Sequence, residues 1–173
     1  MANGSRAEGN NGENEGEETL FIGNVSSQSP ISSRRFLRVP HAERFSPAHR
    51  ELSFTACGSE SNNLALLGAA RTRTFGKGIV VSGFEHPSVQ RPLEDLAKRG
   101  YDVTVVRPRA DGTLDINEML AHVDKNTILV ACMMVNNEIG TRNDVERLAA
   151  EVKRRNSRTI VHVDAVQAWM RVP

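Results

Sequence analysis

Residues 127–135 read TILVACMMV, and the eight residues from Ile128 to Val135 are the longest unbroken apolar run in the chain. A membrane helix needs about 20 such residues, so this run belongs inside a folded domain. Thr127 to Met134 reads as a strand whose neighbouring positions are apolar alike, which calls for cover on both faces. That is the environment of a parallel sheet between two layers of helices. Upstream, Asp115 is a helix cap with Glu118 three residues on, ahead of an apolar face of Ile116, Met119, Leu120 and Val123. Val103 to Val106 is a strand. Ser88 to Arg99 is a helix with Val89, Leu93, Leu96 and Ala97 on one stripe and Gly100 as its stop. Ile79 to Val81 is a β-branched strand, residues 60–72 are a buried helix, and Leu52 to Thr55 is a short strand. Downstream, Asn143 opens a helix carrying Val145, Leu148, Ala149 and Val152, and Thr159 to Val163 is a last strand. Strands and helices alternate with crossovers long enough for parallel pairing, so the fold class is α/β, a mostly parallel sheet with flanking helices.

Composition agrees with a packed domain. The chain has 173 residues, 39% of them hydrophobic, and a net charge of +1, which gives no global attraction to nucleic acid or to an anionic membrane. Residues 1–20 hold five Glu, four Gly and four Asn against one Arg, and are expected to be a disordered tail. The tail lacks the apolar region of a signal peptide, and its acidity argues against a mitochondrial transit peptide, so a cytoplasmic location is expected. Residues 21–50 reverse the charge, with Arg34, Arg35, Arg38, Arg44 and Arg50 against Glu43 and three prolines, and read as an irregular basic connector. Residues 51–173 form the domain. Two cysteines, Cys57 and Cys132, exclude a disulfide framework, and the five histidines show no metal-ligand spacing.

Ligands of open α/β sheets bind beyond the carboxyl ends of the strands, and four polar clusters fall there. Thr55-Ala56-Cys57-Gly58-Ser59-Glu60-Ser61 opens a helix, where free N–H groups, the dipole and two hydroxyls suit a phosphate. Capping by Ser59 or Ser61 is the plainer alternative. It is neither a Walker loop nor a G-x-G-x-x-G fingerprint. Glu85-His86-Pro87 holds a histidine able to stack on a planar ring or move protons, or to serve as an ordinary loop residue. Asn136-Asn137-Glu138-Ile139-Gly140 and Asp164-Ala165-Val166-Gln167 follow the last two strands. Asn137 and Gln167 can hydrogen-bond a ligand or shape a turn. Asp164, at the end of an apolar strand, calls for a nearby cation unless it caps the next segment.

In this order and spacing the clusters resemble the first half of a cysteine desulfurase, within the class V aminotransferase group of pyridoxal 5'-phosphate (PLP) enzymes. The matching stretches are Phe54 to Asn63, Glu85 to Val89, Val135 to Thr141 and His162 to Ala168. The resemblance implies the large domain of a fold-type-I PLP-dependent transferase. It implies that Gly58 and Ser59 hold the PLP phosphate and that His86 stacks on the ring as the catalytic histidine. It implies further that Asn137 and Gln167 contact the cofactor and that Asp164 pairs with the ring nitrogen. The implied substrate is cysteine, converted to alanine with the sulfur kept as a persulfide for iron-sulfur cluster biogenesis. The implied assembly is a homodimer. A selenocysteine lyase-like fragment and a non-catalytic fragment binding a phosphate ligand or a partner chain are the alternatives.

Departures from the family pattern carry expectations too. Cys57 stands where the family has Gly and Ser59 where it has Thr, so Cys57 is expected to strain the loop if a positive φ is needed there. The family's Ser-x-His-Lys motif, whose lysine holds PLP covalently, lies beyond Pro173. Lys77, Lys98, Lys125 and Lys153 are the chain's lysines, none after Asp164. The expectation is a fragment, inactive alone, with the edge of its last strand left open.

Overall fold

The computed structural model describes residues 19–22, 55–169 and 171. Nine elements alternate along them: β1 (Thr19–Ile22), α1 (Gly58–Thr72), β2 (Gly78–Ser82), α2 (Pro87–Lys98), β3 (Asp102–Val106), α3 (Ile116–Ala121), β4 (Thr127–Met133), α4 (Val145–Arg155) and β5 (Ile160–Asp164). The five strands form one sheet in the order β1-β5-β4-β2-β3, and every neighbouring pair is parallel.

β4 is buried along its whole length, as its unbroken apolar sequence demands. Leu129 and Ala131 face the layer of Leu66 and Ala69 from α1 with Val89, Leu93 and Leu96 from α2. Val130 and Cys132 face Met119 and Leu120 from α3 with Leu148 and Val152 from α4. Alternate side chains of one strand thus anchor two helix layers. Gly100, at φ +85°, ends α2, and its N–H donates to Ala97 O at 3.0 Å. Asp115 caps α3 by accepting from the N–H groups of Asn117 and Glu118 at 2.9 and 3.3 Å.

Three expectations change. The cap of α4 is Asp144, which accepts from Arg147 N–H at 3.0 Å, and not Asn143. Asn143 instead closes the end of β4, donating its side-chain amide to Met133 O at 2.8 Å. The boundary drawn at residue 20 falls inside β1, a strand the sequence reading did not mark. β1 pairs with β5 from Thr19 against Val161 to Ile22 against Asp164, so the edge of β5 expected to be open is covered by a strand from far upstream. The strand expected at residues 52–55 lies outside the described residues, except Thr55, which is not in a strand.

The sheet also positions a site. From β2 the chain moves outward to β3, then returns to lay β4 on the other side of β2. The order reverses between β2 and β4, and a crevice beyond the carboxyl ends of the strands is expected there. Among the described residues no helix is long and apolar enough to cross a membrane.

Candidate active site

The N-terminus of α1 is built by the segment before it. Thr55 Oγ1 donates to Cys57 O at 3.0 Å and shares a short hydrogen bond with the Ser61 hydroxyl. Ala56 N–H donates to Glu60 Oε2 at 2.8 Å. Cys57 occupies the N-cap with φ −160° and ψ 167°, extended backbone that any residue adopts, so the expected strain at this position is absent. Its side chain makes no cap bond, and neither Ser59 nor Ser61 caps the helix. The first-turn N–H groups of α1 are therefore left for a ligand. Gly58 is buried there and Ser59 is exposed, its hydroxyl without a partner among the described residues.

β2 runs into Glu85 and His86. The carboxyl of Glu85 is buried between strands: Oε1 accepts from Met133 N–H at 2.6 Å and from the Ser82 hydroxyl, while Oε2 has no partner among the described residues. Burial pushes Glu85 up to about 7, against the lowering effect of those two hydrogen bonds. Its bond to Met133 ties the ends of β2 and β4 together across the reversal of strand order. Burial likewise raises the Cys132 thiol well above its ordinary value, so that this cysteine is a core residue.

His86 is exposed and is the N-cap of α2. Its Nδ1 accepts from Ser88 N–H at 3.1 Å and lies 2.7 Å from Ser88 Oγ. Ser88 Oγ accepts from Asn62 Nδ2 at 2.9 Å, and the same nitrogen donates to Asp164 Oδ2 at 3.0 Å. A continuous hydrogen-bonded chain thus joins His86 at the end of β2, Ser88 on α2, Asn62 on α1 and Asp164 at the end of β5. Asp164 is 3% exposed. Its Oδ1 accepts from Val166 N–H at 3.0 Å, so it also caps the turn that follows. Among the described residues no cation pairs with it.

The remaining site residues stand apart from this chain. After β4 it is Asn136 that is buried, its Oδ1 accepting from Glu138 and Ile139 N–H at 2.9 and 3.0 Å. Asn137 is exposed in the turn, with no side-chain partner among the described residues. Gln167 is half-buried after β5 and accepts from Arg171 at 2.8 Å. Asn62 and Ser88 were not singled out by sequence reasoning. The order of the clusters was the available signal, because both lie inside the stretches that carry the family resemblance.

A pyridinium-type cofactor with a phosphate fits these residues. Asp164 is a buried carboxylate lacking a cation among the described residues, and a protonated ring nitrogen would supply one. The uncapped N-terminus of α1, with Gly58 and the free hydroxyl of Ser59, suits the phosphate.

Comparison with known proteins points to one family. The family described as Aminotransferase class-V matches residues 42–173. A cysteine desulfurase from Nostoc sp. is 34% identical over 160 residues, covering 90% of this chain and 40% of that protein. Among solved structures, a NifS-like protein is 37% identical with a TM-score of 0.64, covering 67% of this chain and 32% of that one. SspA in complex with cysteine is 33% identical with a TM-score of 0.59, over 64% and 32%. The chain spans about two fifths of the length of the Nostoc relative.

Proposed function

The chain belongs to the class V aminotransferase family, and on that premise we propose that it forms the cofactor-holding part of a PLP-dependent cysteine desulfurase. The observation that carries this is the buried Asp164 carboxylate, without a cation among the described residues, at the carboxyl end of β5 and linked through Asn62 to α1, whose N-terminus has no side-chain cap. PLP, when bound, supplies an electron sink that stabilises negative charge at the substrate Cα. The protein's residues divide the remaining tasks. Gly58 and Ser59 hold the phosphate. Asp164 keeps the ring nitrogen protonated, and Asn62 keeps Asp164 in place. His86 stacks on the ring, while Asn137 and Gln167, outside the hydrogen-bonded chain, contact the ring substituents and the substrate carboxylate.

Cysteine is the proposed substrate, supported by desulfurase relatives and by a structural neighbour in complex with cysteine. The proposed role is sulfur supply for iron-sulfur clusters, in the cytoplasm and as a homodimer. Attachment of the cofactor by these 173 residues is non-covalent in this reading. Lys77 and Lys125 stand one and two residues before β2 and β4, and Lys98 and Lys153 lie in the last turns of α2 and α4, so all four belong to the amino end of the sheet, opposite Asp164.

Titration of the full chain with PLP, followed by fluorescence and phosphorus NMR, tests the reading. Saturable binding is expected, weakened about tenfold or more in Asp164→Ala, the worth of a hydrogen bond to a charged group. Borohydride should leave no stoichiometric pyridoxyl-lysine by mass spectrometry. Binding indifferent to Asp164, or a single stoichiometric lysine adduct, would reject it.

A further inference from the structure

The bonds between Asp164 and His86 have forced directions. Both oxygens of Asp164 accept, Oδ1 from Val166 N–H and Oδ2 from the Asn62 side chain. A carboxylate cannot donate, so Asn62 must turn its amide nitrogen, not its oxygen, toward Asp164. That nitrogen also lies 2.9 Å from Ser88 Oγ and gives its second hydrogen there. The hydroxyl hydrogen of Ser88 is then left for another acceptor, and His86 Nδ1 is 2.7 Å away. The backbone N–H of Ser88 donates to the same Nδ1 at 3.1 Å. Two donors converge on Nδ1, which must carry the lone pair, and the neutral ring keeps its hydrogen on Nε2.

We propose that Asn62 and Ser88 are positioning residues that hold His86 as its Nε2–H tautomer, with Asp164 setting the direction of every bond between them. This deepens, and rests on, the reading of His86 as the residue beside the cofactor. His86 then offers a hydrogen-bond donor at Nε2. It can gain a proton only at Nδ1, which obliges Ser88 to turn its hydroxyl away and to release the N-cap bond of α2.

The test uses the full chain labelled with 15N-histidine, without cofactor, above the ordinary imidazole range. Long-range proton–nitrogen spectra report the tautomer, with His86 assigned by the signals missing in His86→Gln. The expected parent spectrum is that of the Nε2–H form. Ser88→Ala and Asn62→Ala should each lower the ratio of Nε2–H to Nδ1–H forms about threefold or more, the worth of one lost hydrogen bond. Ser88→Thr, which keeps the hydroxyl, should restore it. A parent ring protonated on Nδ1, or an unchanged ratio in either folded variant, overturns the proposal. The parent spectrum decides even where a variant does not fold. Because PLP is absent, failed cofactor binding would sink the functional reading and leave this result standing, and the reverse also holds.

Discussion

Position 57 shows how a residue-level departure from a family pattern is absorbed. The backbone there is extended, so a Cβ meets no conformational barrier. Cys57→Gly should therefore not stabilise the chain. Glycine's extra freedom when unfolded should lower stability by about 0.5 to 1 kcal/mol, read by denaturant melts. A clear gain would mean that the cysteine is strained after all. The same scale separates what was legible in the site from what was not. Asp164 and His86 announce themselves, because a polar group at the end of an apolar strand needs a reason. Asn62 and Ser88 give no such local sign. Each sits in the first turns of a helix, where small polar residues are ordinary, and the acceptor that defines Asn62 lies 102 residues away.

Among the elements, apolar runs and helical stripes were enough to find all four helices and β2 to β5, the strands each within one residue of their observed ends. Two failures have physical causes. β1 is four residues long and, among the described residues, pairs with β5 alone, so no alternation or flanking helix marks it. At α4, Asn143 and Asp144 are both good caps by type, and the choice is made by tertiary structure, since Asn143 is needed at Met133 O. Their losses should differ. Asp144→Ala should cost about 1 kcal/mol, a typical N-cap value. Asn143→Ala, which takes the amide donor from a buried carbonyl and leaves it the weak Cys132 thiol, should cost about 1–3 kcal/mol. Thermal melts of the pair give the order, and a larger loss at Asp144 would contradict these assignments.

The molecule as a whole carries two buried groups that titrate against one another. Glu85 is raised to about 7, so between its ordinary range and 7 the native chain holds a proton that the unfolded chain has lost. Stability from this group therefore falls as pH rises through that window. His162, on β5 with both ring nitrogens buried and unpartnered among the described residues, is lowered by burial to about 4. The unfolded chain gains a proton below about 6.5 that native His162 refuses, so stability from this group falls as pH drops. Across roughly pH 4.5 to 6.5 the two slopes oppose and largely cancel. Asp111, Asp115 and Glu151 are held below the usual carboxylate range mainly by hydrogen bonds. Glu85→Gln should leave the rising limb alone, and His162→Phe the falling one, each by up to about 3 kcal/mol. Denaturant melts across the window check this, and parallel curves for parent and both variants would refute it.

The pairing of β1 with β5 has a consequence in time. The two strands are roughly 140 residues apart in the chain, so at a ribosome's pace of about 5–20 residues per second β1 waits on the order of ten seconds for its partner. By then β2, β3 and β4 can already be docked. Of the five described strands, the first to be made is thus the last to be seated, beside the newest, and until then the nascent sheet presents an unsatisfied border to whatever else in the cell can add a strand.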